Sequence, residues 1–117
     1  MIARTWRGRA TAAKAGDYLQ HFTTPVVPKL KGIAGHKGAY LLRRETERHV
    51  EFLAVTLWDS IETIKKFSGD DPEVAHIEPE GRAALAGFDE FARNYEIVCN
   101  TVGQCAELVI PNSATGR

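Results

Sequence analysis

The chain has 117 residues, of which 44% are hydrophobic and 26% charged, and its 15 basic residues balance its 15 acidic residues. This length and composition are typical of a single globular domain. The net charge of zero argues against nucleic acid or an anionic membrane as a partner, because both bind basic surfaces. The sequence also lacks both the apolar run of roughly 20 residues that spans a bilayer and the layout of a signal peptide, so we expect a cytoplasmic protein.

The N-terminal third of the chain predicts a strand, a helix and a connection. Strand-forming residues and a tryptophan occupy Ile2–Arg9. A helix is expected over Ala12–Thr24, because its apolar residues recur at helical spacing and the following Pro25 lacks a backbone hydrogen-bond donor. The stretch Val26–Gly38 is rich in glycine and proline and is therefore expected to be mainly a connection.

The centre of the chain predicts a β-hairpin whose second strand is apolar on both faces. Strands are expected at Gly38–Arg44 and His49–Trp58, on either side of a charged turn. One face of the second strand carries Val50, Phe52, Ala54 and Trp58, and the other carries Leu53, Val55 and Leu57. Helices cover only one face of such a sheet, so the second face needs another cover. The simplest cover is the sheet of a second copy, which predicts a homodimer that forms its pocket by pairing.

The C-terminal part predicts helices followed by a last strand. Asp59 is expected to cap a helix that ends at Gly69. Further helix starts are expected at Asp71–Glu73 and at Pro79–Glu80, because proline suits the first helical position. After the second start, helical spacing continues through Ala84, Leu85, Phe88 and Phe91 or Ala92. Asn94–Asn100 is expected to form the last strand.

These elements predict an α+β domain of the ferredoxin-like kind. Its order is βαββαβ, with one four-stranded antiparallel sheet and helices on one face. The domain is expected to cover residues 1–100, and residues 101–117 form a C-terminal tail. Cys99 in the last strand and Cys105 in the tail are expected to be reduced thiols, because no cluster of metal ligands accompanies them. We therefore expect no metal site.

Four segments of the sequence are similar to a known family. They are the opening Ile2–Gly8, the junction Leu57–Glu62, the segment Phe67–Glu73 and the closing Tyr95–Val98. On these segments the chain resembles the antibiotic biosynthesis monooxygenase family of dimeric α/β barrels. The resemblance implies a homodimer whose sheets face each other, with a small and mostly apolar cavity in each subunit. Family members of known activity oxidise polycyclic aromatics with oxygen and no cofactor, or degrade haem.

The resemblance distinguishes between the two activities. Haem-degrading members carry an asparagine on the first strand and a tryptophan and a histidine in the second helical region. This chain has no asparagine on its first strand, and it has Phe67 where the tryptophan is expected, so only His76 matches. The aromatic-oxidising members are similar to this chain at Trp58. Haem degradation is therefore not the expected activity.

Two residues are candidates for the chemistry itself. Oxygenation without a cofactor needs a base that turns an aromatic substrate into an electron-rich anion, and a group that stabilises the negative charge. His76 is the candidate base, because the pKa of histidine ordinarily lies near neutrality. Arg82 is the candidate for holding an anionic oxygen. The alternative interpretations are a surface-helix histidine and a solvated arginine.

Three aromatic residues are candidates for binding the substrate ring. Trp58 is expected to stack on the ring at the mouth of the cavity, unless it is a core residue that joins the third strand to the next helix. Tyr40 and Trp6 lie on neighbouring predicted strands and are expected to line the same cavity, with plain packing as the alternative. His21 falls outside the apolar stripe of the first helix and is assigned to solvent.

The sequence thus predicts a cofactor-independent monooxygenase that acts on a small aromatic or polyketide-like substrate in a homodimeric barrel. The alternative is a non-catalytic dimer that binds a small ligand or is associated with stress. The cavity is the feature that distinguishes them. An enzyme needs a polar group of shifted pKa beside the ring site, whereas a binding protein needs only apolar walls.

Overall fold

The computed structural model describes residues 1–101. The strands in this part of the chain are β1 (Ile2–Ala10), β2 (His36–Glu45), β3 (Val50–Trp58), β4 (Gly87–Phe88) and β5 (Arg93–Glu96). The helices are α1 (Ala15–His21), α2 (Val27–Lys31), α3 (Ile61–Ser68) and α4 (Pro79–Ala83), and a π-helical turn, Phe22–Val26, joins α1 to α2. Within residues 1–101, no helix has the length and apolar character needed to cross a membrane.

The strands form one antiparallel sheet in the order β2-β3-β1-β4, and β5 pairs with the first half of β1. The predicted α+β ferredoxin-like fold is confirmed, with five strands in the described residues instead of four. The extra strand arises because the last part of the chain runs along β1 in two separate pieces, β4 beside Gly8–Arg9 and β5 beside Ile2–Thr5.

The two faces of the sheet are distinguished by burial along β3. Val50, Phe52, Ala54, Thr56 and Trp58 are buried, and the residues between them are half-buried. The buried set faces the helices, where Phe52 packs with Tyr18 and Phe22 of the helical segment. We call this side the inner face and the opposite side, which carries Leu53, Val55 and Leu57, the outer face. The alternation predicted from the sequence is therefore confirmed.

The first helical segment is longer than the sequence predicts. Pro25 does not end it, because the chain continues through the π-helical turn and α2 as far as Lys31. A proline ring in a regular α-helix clashes with the carbonyl four residues earlier, and a local widening of the helix relieves that clash. The prediction of a mainly irregular connection from Val26 is wrong for the same reason.

The predicted helix after Pro79 is also corrected. It ends at Ala83, and Gly87–Phe88 is a strand instead of further helix. The competing interaction is with β1, because the Ala86 N–H donates to the Arg9 carbonyl oxygen at 2.7 Å. Backbone pairing with an existing strand stabilises this segment more than the weak local preference for a helix does. The start expected at Asp71–Glu73 yields a turn and no helix.

Three smaller expectations change at other positions. Ser60, and not Asp59, is the N-cap of α3, since its hydroxyl accepts from the Thr63 N–H at 3.2 Å. The last strand is Arg93–Glu96, shorter than expected, so Cys99 is exposed and lies outside a strand. Cys105 and all of the predicted tail except Thr101 lie outside the described residues.

The loop before β2 depends on a glycine. Gly35 has a φ of +97°, and a Cβ there would lie 2.6 Å from Thr63 Cγ2 and 2.7 Å from an Asp59 carboxylate oxygen. We expect Gly35→Ala to destabilise the protein by about 3 kcal/mol, because strain and a steric clash add together. The matched control is Gly69→Ala, where φ is +93° but no atom lies within 4 Å of the new Cβ. Urea unfolding should show that the control loses only about 1 kcal/mol of unfolding free energy, from backbone strain alone. Equal losses of unfolding free energy in both variants would show that the clash is absent.

Candidate functional site

A cleft lies between the inner face of the sheet and the helical segment α1–α2. It encloses about 620 Å³ of space between atoms, its open side included. Little of this space is open to the centre of a water molecule, so the cleft is narrow. The helices of this chain cover the inner face of the sheet. The expected pairing of two copies, and any part of the pocket that a second copy would add, stays a prediction.

The floor of the cleft is built by β1 and β3. Arg4 pairs in register with Thr56, and Trp6 pairs with Ala54, and all four side chains line the cleft. Directly opposed residues of an antiparallel pair lie on the same face of the sheet. The strand register therefore fixes the floor.

The roof of the cleft is the helical segment. Tyr18, Phe22, Val26 and Leu30 recur every fourth residue and all line the cleft, across α1, the π-helical turn and α2. Burial raises the pKa of Tyr18 to about 12, so its hydroxyl keeps its proton at neutral pH. The roof is therefore apolar except for one neutral hydroxyl.

Trp6 is held in place from two sides. Its indole Nε1–H donates to the Asp89 carbonyl oxygen at 2.7 Å, and its ring lies 6.3 Å from that of Tyr18. Gly8 leaves space for the ring, because a Cβ at position 8 would lie 2.8 Å from Trp6 Cη2. The indole of Trp6 can therefore occupy this position only because residue 8 is a glycine.

The one charged group on the floor of the cleft is Arg4. Arg4 is only 4% exposed, and one of its terminal N–H groups donates to the Val74 carbonyl oxygen at 2.8 Å. Its guanidinium carbon lies 5.9 Å from the centre of the Phe67 ring, and its Nε has no hydrogen-bond partner. Burial lowers the pKa of Arg4 to about 10, so the group is still charged at neutral pH.

Polar groups gather on the open side of the cleft. His21 of α1 is half-buried, whereas His76 is exposed on the loop before α4, with its ring 5.2 Å from that of Phe67. Glu78 also lines the cleft and forms an ion pair with Lys29 of α2. The hydrogen bond from Lys29 is the largest cause that lowers the pKa of Glu78, and the nearby His21 and His76 lower it further.

The structure brings together two of the five residues selected from the sequence. His76 and Trp6 both line the cleft. Trp58 is fully buried outside the lining, and its indole N–H donates to the Thr56 hydroxyl at 2.8 Å, as a core residue does. Arg82 is exposed and lies outside the lining, with its guanidinium carbon 5.4 Å from the Phe88 ring centre. Tyr40 is half exposed on the outer face, because it pairs with Val55 and is separated from the cleft by the sheet.

Arg4 and His21 line the cleft but were not selected from the sequence. Arg4 shares the inner face with Trp6, two residues along the same strand, so the strand alternation was the available signal. His21 was assigned to solvent, but it lies against Gly81, where a Cβ would come within 2.7 Å of its Nε2. The short helix α4 brings that glycine close, and the periodicity of α1 alone carries no sign of it. His76 itself lies on an irregular loop and not on a helix.

The described residues contain no group of three or more histidine, cysteine or acidic side chains placed to hold a metal ion.

Comparison with known proteins gives likeness in structure only. No protein-family model matches the sequence, and no curated protein matches it. A structure from Bacillus cereus, assigned as an antibiotic biosynthesis monooxygenase, is similar with a TM-score of 0.58 and 15% identity, over 87% of this chain and 97% of that chain. The heme-degrader MhuD from Mycobacterium tuberculosis, with two hemes bound in its active site, is similar with a TM-score of 0.56 and 18% identity, over 87% of this chain and 100% of that chain. A structure from Deinococcus radiodurans, also assigned as an antibiotic biosynthesis monooxygenase, is similar with a TM-score of 0.58 and 14% identity, over 88% of this chain and 100% of that chain. The chain therefore has the fold of the antibiotic biosynthesis monooxygenases.

Proposed function

We propose that this chain is a cofactor-independent monooxygenase that oxidises a small aromatic substrate in the cleft. The observation that carries the proposal is a narrow slot with aromatic walls and a histidine, His76, on its open side. A slot of this shape admits a planar ring, and an imidazole beside it is suited to remove a proton at neutral pH. The proposed location is the cytoplasm, as the composition indicates.

The proposed reaction begins with removal of a proton from the substrate by His76. The resulting carbanion or enolate is electron-rich and transfers one electron to oxygen, and the two radicals combine to form a carbon–oxygen bond. The peroxide anion so formed takes the proton back from His76, and the hydroperoxide loses water, so that a CH₂ group and O₂ become a C=O group and H₂O. Apolar walls favour this sequence because they exclude competing water from the anion.

The alternative proposal is a dimer that binds a small ligand without changing it. Apolar walls alone would support that alternative. The cleft, in contrast, also contains a buried guanidinium, Arg4, and an imidazole, His76. A cationic group and a candidate base in one apolar cleft favour the oxygenase proposal.

Haem does not fit the cleft as it stands. A porphyrin is a broad disc, whereas the space between the sheet and the helical segment is narrow. His76, the sole residue that matches the haem-degrading pattern, lies edge-on against Phe67. We therefore propose no reaction through haem.

We also propose that two copies pair through the outer face. Tyr40 and Leu42 of β2 are about half exposed there, beside the half-buried Leu53, Val55 and Leu57 of β3. Contiguous apolar surface on one face of a sheet is typical of an interface. Since the cleft lies on the inner face, this pairing would leave its walls intact.

The pairing is tested by two substitutions on opposite faces of β3. Val55→Asp should leave a folded monomer and weaken pairing by about 100-fold or more, because it places a charge in a dry interface. Phe52→Asp, on the inner face, should instead prevent folding, because Phe52 is fully buried in the core. Sedimentation and circular dichroism measure the two effects. A wild-type monomer at micromolar concentration, or a Val55→Asp dimer of unchanged affinity, would contradict the pairing.

The reaction is tested by oxygen uptake with hydroquinones, naphthols and anthrone in the presence of a chelator. His76→Ala should lower the rate of uptake by about 100-fold or more, the usual contribution of a general base. The matched control is His49→Ala, in the turn before β3 and outside the cleft, which should keep the wild-type rate. His21→Ala shows whether the second histidine of the cleft shares the role. An absence of uptake with every substrate would favour the ligand-binding alternative.

A further inference from the structure

Arg4 is the only buried charged residue within residues 1–101. Within the described residues, its guanidinium donates one hydrogen bond, to the carbonyl oxygen of Val74. That acceptor carries no negative charge. Its Nε–H has no acceptor. The guanidinium carbon lies 5.9 Å from the centre of the Phe67 ring, which is an aromatic and not an acid. The positive charge is therefore buried with its hydrogen-bonding capacity incompletely used.

No carboxylate in the described part of the chain forms an ion pair with Arg4. Glu78 is the acidic residue among the side chains that line the cleft, and it is paired with Lys29. The other ion pairs of the described residues lie elsewhere, on Arg7, Arg43, Arg44 and Lys65. The cleft therefore holds a net unbalanced positive charge at Arg4.

A buried charge without a partner is costly, and proteins normally provide a counter-ion or a full set of hydrogen bonds. Arg4 lines the cleft, so a molecule in the cleft can supply the missing acceptor. Guanidinium recognises carboxylate and other oxygen anions in a directional way, through N–H groups in one plane. The guanidinium lines the cleft with part of its hydrogen-bonding capacity unused, so it is suited to such a contact.

We propose that Arg4 recognises an anionic oxygen of the ligand, which is a planar aromatic of one or two rings carrying a carboxylate or an enolate. This inference rests on the proposed function in one respect, namely that the cleft takes a small aromatic. It also gives the ligand an orientation. The anionic oxygen lies at the buried guanidinium of Arg4, and both Arg4 and the exposed His76 lie beside the ring of Phe67.

The test measures binding without turnover. Calorimetry compares 2-naphthoate with 2-naphthamide, which has nearly the same shape but no charge. Wild type should bind the carboxylate at least tenfold more tightly than the amide. Arg4→Met should weaken naphthoate binding by about 10- to 100-fold, the range for a charge-assisted hydrogen bond, and change naphthamide binding by less than about threefold. Arg4→Lys should recover part of the loss, because the charge remains but the planar geometry does not.

The matched control is Arg82→Met. Arg82 also lies over a phenylalanine ring, but it is exposed and outside the cleft, so its loss should leave both affinities unchanged. Thermal unfolding without ligand shows whether each variant is folded. Naphthoate should raise the melting temperature of wild type and Arg82→Met, and not that of Arg4→Met. A purely structural role for Arg4 would lower the melting temperature of Arg4→Met and leave wild type without a preference for the acid.

The two sources of the anion are distinguished with 2-naphthol. If the cleft also selects an anion formed by deprotonation, the pKa of bound naphthol should be lower than the pKa of free naphthol. The absorbance of naphtholate is the readout. Arg4→Met should abolish that change. Equal wild-type affinities for naphthoate and naphthamide, or a failure to bind any of the three probes, would overturn the inference. Because none of these readouts requires oxygen, a failure of the oxygenation proposal leaves this result independent.

Discussion

The antiparallel pairing of β1 with β3 is the constraint on which the rest of the structure depends. Its register runs over the full length of both strands, from Ile2 opposite Trp58 to Ala10 opposite Val50. Because side chains alternate across a strand, this register places every even-numbered residue of both strands on the inner face. A shift of one residue would turn Trp58 and Phe52 to the outer face and remove the floor of the cleft. Core stability and cleft geometry are therefore determined by the same set of backbone hydrogen bonds.

The cleft combines an apolar shell with a charge that the shell does not neutralise. The indole of Trp58 donates to the Thr56 hydroxyl, and that hydroxyl lies 3.5 Å from the Arg4 carbonyl oxygen, so the polar groups of the floor are linked to the core. These links use the backbone of Arg4, whereas its side chain donates to the Val74 carbonyl oxygen and lines the cleft. A well-packed apolar residue at position 4 would give a more stable fold. The burial of arginine here is the kind of local cost that proteins accept at binding sites.

Much of the sheet was predictable from the sequence. The alternation in β3 depends on the burial of Val50, Phe52 and Trp58, which are apolar at a period of two, and few other structures suit that pattern. The elements after Pro79 were not predictable, because the competing partner of Gly87–Phe88 is a strand 80 residues earlier. Helical spacing is a local signal, and it contains no information about a distant backbone edge.

The site was less predictable than the fold. Tyr40 and Trp6 are on sheet strands separated by β3, and a difference of one position in register decides which face each occupies. Trp58 was expected at the cleft, but its size and the Thr56 hydroxyl favour the core. Arg4 was missed because a lone arginine near the start of a strand is usually solvated. Its burial results from the loop at Val74 and the ring of Phe67, which are distant in sequence.

A substitution of Gly8 would change the width of the cleft without changing the identity of any residue that lines it. A methyl group at that position would touch the far edge of the Trp6 indole and Leu85 Cδ1, and the indole ring would have to shift. The backbone there is ordinary strand, so any residue is conformationally permitted and only the space forbids it. Natural variation at residue 8 would thus act as a filter on ligand thickness. Two relatives with identical cleft walls would then accept different aromatics, and a comparison of lining residues alone would not reveal why.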